Sequence, residues 1–182
     1  MEKHQLHKKM GVRLRGIFPI DNAEIHFDPA CGGKQRIPLY MDRRKGRTDA
    51  LCDVDLLIVK DKKVKVIIEI EESGFEPTKI CGKYLTSALA KSYINAKNDM
   101  FKTDENTVLF IEIIGKDKMD KNIKKAENSV KTDQFKFIEK SINEMIKNTK
   151  YGCVKEYKMY ILTEDNFESE FNKIMRKIKD YV

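Results

Sequence analysis

Features that mark several common classes of protein are missing from this 182-residue chain. Its four cysteines form no CxxC pair and are accompanied by three histidines, which argues against a zinc site and leaves free thiols as the default. No apolar run approaches the ~20 residues needed to span a membrane, and the N-terminal residues lack the apolar core of a signal peptide. We therefore expect a soluble, cytoplasmic protein with no membrane partner.

A complete phosphate-binding loop is also missing. Gly32, Gly33 and Lys34 resemble the end of a P-loop, but the rest of the motif and its flanking strand and helix are absent, which excludes ATP binding of that type. No internal repeat or low-complexity linker divides the chain, so residues 1–182 are predicted to form one domain. We divide it into a basic N-terminal segment (1–47), a core sheet (51–163) and a C-terminal helix (165–181).

The most informative stretch is a predicted hairpin. Two apolar, β-branched runs, Val54–Val59 and Val64–Ile70, flank a charged turn at residues 60–63. Because side chains alternate along a strand, Glu69 and Glu71 are expected on one side of the second strand. A fold about the turn places Asp55 opposite Glu69. Crowded carboxylates repel one another unless a cation bridges them, and Mg²⁺ or Mn²⁺ prefers such oxygen ligands.

This pattern resembles the restriction endonuclease-like, PD-(D/E)xK superfamily of nucleases. Asp55 matches the single Asp of the motif and Glu69 its first acidic residue, whereas Glu71 stands where Lys is usual and Val54 where Pro is usual. A minority of type II restriction enzymes carry Glu at that place. The resemblance implies a restriction endonuclease-like core and Mg²⁺-dependent hydrolysis of double-stranded DNA, with a two-fold dimer if the target is palindromic.

The resemblance also implies roles for individual side chains. Asp55 and Glu69 would hold the metal ion, with Asp53 as a competing ligand on the same strand face, and Glu71 would be a further ligand or position the attacking water. The predicted helix after the hairpin carries Lys79 and Lys83. Either lysine would supply the positive charge missing at position 71, although an ordinary solvated helix face is the simpler interpretation of both.

Basic residues beside the hairpin are candidates for binding the DNA backbone. The chain has 36 basic and 29 acidic residues, and six of its seven arginines lie within the first 47 residues. Arginine binds phosphate in bidentate fashion. The predicted DNA contacts are Arg43, Arg44, Lys45, Arg47 and Lys79. A solvated connecting loop accounts for the basic run between residues 42 and 49 as well as a DNA contact does.

The remaining pattern predicts an α/β fold in which helices flank a central mixed sheet. Residues 1–16 are expected to form a short helix or an irregular arm, and Glu112 is expected to be an edge or end charge of its strand. The other predicted strands are 23–27, 36–41, 107–114 and 157–162, and the predicted helices are 78–96, 117–148 and 165–181.

Other functions remain open on the sequence alone. A Holliday junction resolvase or a repair nuclease fits the same residues, and so does a non-catalytic DNA-binding module with this fold. Nucleotidyl transfer is disfavoured because no Gly-Ser turn precedes Asp53 and Asp55. In a purely structural interpretation, the carboxylates are solvated strand ends.

Overall fold

The structure is a computed structural model. It describes residues 4–42, 45, 48–73, 75–116 and 125–182, with the backbone alone for 125–132. This part of the chain contains four helices and nine strands. The helices are α1 (Gln5–Arg15), α2 (Pro77–Ala88), α3 (Lys125–Thr149) and α4 (Phe167–Lys179). The strands are β1 (Glu24–Phe27), β2 (Pro38–Tyr40), β3 (Ala50–Asp53), β4 (Leu56–Lys60), β5 (Lys63–Glu71), β6 (Ser92–Ile94), β7 (Met100–Lys102), β8 (Val108–Gly115) and β9 (Val154–Leu162).

All nine strands belong to one mixed, largely antiparallel sheet. The β4–β5 hairpin lies at its centre, with β1 antiparallel to β4 on one side. On the other side, β5 pairs in parallel with β8 over most of its length, and β8 pairs in parallel with β9. Lys63, the first residue of β5, also pairs with Lys102 of β7. Beyond β7, the sheet continues with β6, β2 and β3 in that order. The predicted α/β class with a mixed sheet between helices is confirmed.

Helices cover both faces of the sheet. On one face, α2 and α3 pack over a core that includes Tyr84 and Ile142. On the opposite face, α1 and α4 pack over a second core that includes Leu14 and Phe171. A strand buried on both faces carries apolar side chains in every direction, which explains the unbroken apolar runs of β4, β5 and β8. None of the helices in the described ranges is long and apolar enough to cross a membrane.

The hairpin turns tightly at two residues. Asp61 and Lys62 both have positive φ angles, 53° and 58°, as the two central residues of a type I′ turn require. The register pairs Leu56 with Ile68, so Asp55 lies beside Glu69 just beyond the last paired residues. Along the parallel pairing, Glu69 faces Glu112 of β8. The two strands therefore bring carboxyl groups together at the end of the hairpin opposite the turn.

Two predicted elements differ in the structure. The helix predicted for 78–96 ends at Ala88, because residues 92–94 instead form β6, which is buried and pairs with β2 and β7. Asp53 and Asp55 do not share one strand face, because β3 ends at Asp53 and β4 begins at Leu56. The helix predicted for 117–148 is observed as α3, and residues 117–124 lie outside the described part of the chain.

Candidate active site

Three carboxylates (Asp55, Glu69 and Glu71) and two lysines (Lys79 and Lys83) meet at the end of the hairpin opposite the turn. Glu69 and Glu71 extend from one face of β5, and α2 begins six residues after β5, so its first turns return over the same strand end. The Lys83 ammonium lies 2.8 Å from Glu69 Oε2 and also contacts Glu71 Oε1. Lys79, one helical turn earlier, donates to Glu71 Oε2 over 2.7 Å. Lys79 and Lys83 therefore both extend from α2 toward the carboxylates.

Asp55 is held in the ionised state. Its Oδ2 accepts a hydrogen bond of 2.7 Å from the Ile70 amide and lies 3.6 Å from His7 Nε2. Burial alone would raise the pKa of Asp55, but the His7 and Ile70 contacts outweigh it and leave the pKa below its usual range. Asp55 thus keeps its negative charge although most of the side chain is withdrawn from water.

The pKa of Glu69 is shifted in the opposite direction from that of Asp55. Its side chain is 2% exposed, and burial together with the nearby Asp55 charge raises its pKa well above the usual value, although Lys83 opposes this shift. Burial would lower the pKa of Lys83, but Glu69 and Glu71 outweigh that effect and raise it. Lys83 is consequently held as a cation beside a carboxyl group whose ionisation is opposed by burial.

Glu112 is a buried member of this cluster that the sequence analysis placed wrongly. It is fully buried in the middle of β8, not at an edge or end, and neither of its carboxyl oxygens has a hydrogen-bond partner among the described residues. Burial raises its pKa to about 8, and the charges of Glu71 and Asp55 act in the same direction. Asp55, Glu69, Glu71 and Glu112 are called the carboxylate cluster below.

Helix α1 adds a group that sequence reasoning missed. His7 is buried between Asp55 and Glu72, and its Nδ1 lies 3.6 Å from Glu72 Oε2. Burial lowers the pKa of His7, but the hydrogen bond and charge of Asp55 more than compensate and leave it raised. An open cavity of about 450 Å³ adjoins His7 and the carboxylate cluster. Its lining includes His4, His7, Asp55, Glu71, Glu72 and Lys83.

The other predicted site residues lie in different settings. Asp53 sits at the end of β3, where Arg36 lies 3.4 Å from its carboxylate, and it does not line the cavity beside Asp55. The prediction that Asp53 competes with Asp55 from a shared face is therefore wrong. Lys45 is exposed, with its amine 3.5 Å from the Asn95 carbonyl. Arg43, Arg44 and Arg47 lie outside the described residues.

Comparison with known proteins gives no relative from which a role could be transferred. No protein-family model, curated protein or solved structure matches the chain. The function must therefore be inferred from the chemistry of the site itself.

Proposed function

We propose that the protein is a metal-dependent endonuclease with a restriction endonuclease-like core that hydrolyses phosphodiester bonds in double-stranded DNA. The observation that carries this proposal is the meeting of Asp55, Glu69, Glu71 and Lys83 at one end of the central hairpin. Strand register and helix packing bring these side chains together from β5, from α2 and from the residue that directly precedes β4.

The donor set suits a hard divalent cation. Asp55, Glu69 and Glu71 offer only carboxylate oxygens, and the neighbouring Glu112, which its raised pKa keeps protonated, adds oxygens that have no hydrogen-bond partner among the described residues. Asp55 and Glu69 would hold Mg²⁺ or Mn²⁺, and Glu71 would complete the set or orient the attacking water. The bound ion would supply Lewis-acid stabilisation of the charge that develops on the reacting phosphate.

Lys83 is the residue that takes the place of the usual motif lysine. Position 71 carries Glu, yet the Lys83 ammonium reaches the same strand end from α2 and remains partly exposed to the cavity. A fixed cation there attracts the scissile phosphate and stabilises added negative charge on it. Asp55, held ionised by His7 and the Ile70 amide, keeps the site anionic enough to retain a metal ion.

Type II restriction enzymes are the subclass that the Glu-x-Glu arrangement favours, with a Holliday junction resolvase or repair nuclease as the alternative within nucleases. The net charge of +7 and the basic run containing Arg43, Arg44, Lys45 and Arg47 support binding of a polyanion. Lys79, also a predicted DNA contact, is bonded to Glu71 and keeps its side chain 45% exposed, so it can contact DNA at the edge of the carboxylate cluster. A palindromic target would require a two-fold dimer.

Cleavage of supercoiled plasmid tests the proposal. The wild-type protein should convert plasmid to discrete fragments with Mg²⁺ or Mn²⁺ and should be inactive in EDTA. Asp55→Asn and Glu69→Gln should abolish cleavage, whereas Glu168→Gln, which removes an exposed partner of Arg13, should not. Nicking without discrete bands would favour the structure-selective nucleases, to be tested on branched DNA.

A non-catalytic DNA-binding module is the second candidate, because Lys79 and Lys83 already neutralise Glu71 and Glu69 in this structure. For such a module, electrophoretic mobility shifts of a DNA duplex should be the same with Mg²⁺ or EDTA. They should also be the same for wild type and Glu69→Gln, with no cleavage under any metal. That pattern would overturn the catalytic proposal.

A further inference from the structure

We infer that His4, His7 and Glu72 form a second metal site, selective for a borderline divalent ion such as Zn²⁺, which fixes α1 to the end of β5. One ligand atom from each residue can be chosen so that all three lie within 4.8 Å of one another. The three residues are called the histidine site below. It lies beside the carboxylate cluster, and its chemistry does not depend on the proposed nuclease activity.

The spacing of the ligand atoms fits direct coordination. Bonds of about 2.0–2.1 Å at a tetrahedral ion place neighbouring ligand atoms about 3.3 Å apart. His7 Nδ1 and Glu72 Oε2 are already 3.6 Å apart. His4 immediately precedes α1, and the centroid of its ring lies 5.1 Å from that of His7. The exposed His4 therefore offers its ligand atom within 4.8 Å of those of His7 and Glu72.

The buried His7 nitrogen is the independent observation that points to a ligand. His7 is 6% exposed, and its Nδ1 has no hydrogen-bond partner among the described residues. An unpartnered polar atom in a buried position costs free energy unless something binds it. Because Nδ1 lies 3.6 Å from Glu72 Oε2, an ion bound by that carboxylate would give the buried nitrogen its partner.

The opposite side of the His7 ring has the support that metal-bound histidines usually have. Nε2 lies 3.6 Å from Asp55 Oδ2, so the ring can donate its proton to a carboxylate while Nδ1 binds the ion. A carboxylate behind a ligating imidazole fixes its tautomer and strengthens it as a ligand. The Leu6 amide donates to Glu72 Oε1, and Glu72 Oε2 lies 3.6 Å from His7 Nδ1.

The donor chemistry separates this site from the carboxylate cluster. Two imidazoles and one carboxylate are the ligands of Zn²⁺ and similar borderline ions, whereas Mg²⁺ prefers oxygen donors. The two sites also use opposite faces of β5, since Glu72 meets α1 and Glu69 and Glu71 meet α2. Counting only cysteine pairs in the sequence hides such a site, because it contains no cysteine.

Zinc titration of the full-length protein in excess Mg²⁺ tests the inference. Isothermal titration calorimetry should show one Zn²⁺ bound per chain, and His4→Ala should weaken binding at least about tenfold. His4 is exposed, so this variant should keep the wild-type circular dichroism spectrum without metal. Zn²⁺ should raise the melting temperature of wild type more than that of His4→Ala at the same Zn²⁺ concentration.

Two controls isolate the ligands. His26→Gln removes the remaining histidine, and Cys81→Ser removes the exposed cysteine; neither should alter Zn²⁺ affinity. Co²⁺ in place of Zn²⁺ should give visible absorption without a thiolate charge-transfer band, and Glu72→Gln should abolish it. Absence of Zn²⁺ binding to wild type, equal binding to His4→Ala, or loss of binding in Cys81→Ser would overturn the assignment.

Discussion

The two ends of the central hairpin carry similar charged groups in opposite surroundings. At the turn, the Lys62 amine lies 3.1 Å from Asp99 and the Lys63 amine 2.6 Å from Asp104, and all four side chains are more than a third exposed. At the other end, Lys83 makes equally short contacts with Glu69 and Glu71, whose side chains are only 2% and 4% exposed. Distance alone does not distinguish these ion pairs.

The burial of the side chains decides whether an ion pair stabilises its charges or holds them at a cost in free energy. Hydrogen bonds from Asn95 and Lys62 lower the pKa of Asp99 and outweigh the smaller opposing effect of burial, so its charge is stabilised. Burial raises the pKa of Glu69 against the attraction of Lys83, so its charge is retained at a cost. Water and salt screen the turn end, and the opposite end keeps strong, unscreened fields of the kind that catalysis and metal binding use.

Among the predicted substitutions, removal of Lys83 should have the largest effect on the free energy of unfolding. Lys83→Met leaves the buried Glu69 without its cation, while Glu71 keeps Lys79, and we expect the variant to lower the free energy of unfolding by about 3–5 kcal/mol at pH 7. Urea denaturation in EDTA measures the loss, which should shrink as the pH falls, because Glu69, whose pKa is raised, gains a proton. Lys62→Met at the exposed turn is the matched control and should leave the midpoint unchanged. Equal effects of the two substitutions would contradict the contrast.

Glu112 should make stability fall as the pH rises. Its pKa is about 8 in the folded protein against 4.5 for the free side chain, so between these values the folded state holds a proton that the unfolded state has released. Stability attributable to Glu112 therefore declines by up to about 1.4 kcal/mol per pH unit over this range. Glu112→Leu should flatten the decline, as measured by the free energy of unfolding between pH 5 and pH 8 in EDTA.

Glu156 provides the control of opposite sign. Although burial alone would raise the pKa of Glu156, the Lys177 and Tyr181 hydrogen bonds lower it overall. The stability contributed by Glu156 is therefore present above its unfolded pKa and lost only in acid. Glu156→Gln should leave the slope between pH 5 and pH 8 unchanged. If Glu112→Leu also left that slope unchanged, Glu112 would not be protonated in the folded state at neutral pH.

The turn should tolerate, and benefit from, substitution. Asp61 and Lys62 adopt left-handed backbone conformations that Asn and Gly adopt more easily. The double change Asp61→Asn with Lys62→Gly should raise the free energy of unfolding by about 1 kcal/mol. Chemical denaturation measures this gain. A loss of stability would mean that the exposed charges at the turn matter more than the backbone conformation.

The hairpin and its carboxylates could be predicted because their signals are local. Alternation along β5 and a short charged turn suffice to place Asp55, Glu69 and Glu71 at one end. The approach of Lys83 follows from a helix that starts immediately after the strand, although spacing could not separate that face from an ordinary solvated one. The residues of β6 continued the helical spacing of α2, and only their pairing with β2 and β7 makes them a strand.

The rest of the site depends on long-range packing. Glu112 joins the carboxylate cluster because β8 pairs in parallel with β5, and the order of strands in a sheet is not encoded by any local pattern. His7 reaches Asp55 and Glu72 because α1 packs on the face of the sheet opposite to α2. A basic N-terminal segment gives no signal of a buried histidine, so neither contact could be read from spacing.

The central claim is that phosphodiester hydrolysis takes place at the buried end of the hairpin. Single-turnover cleavage of plasmid DNA with Mn²⁺ should compare Glu69→Gln at that end with Asp61→Asn at the turn, since each substitution replaces one carboxylate with its amide. The account predicts a rate loss on the order of 10²-fold or more for Glu69→Gln and a wild-type rate for Asp61→Asn. Wild-type cleavage by Glu69→Gln would contradict it.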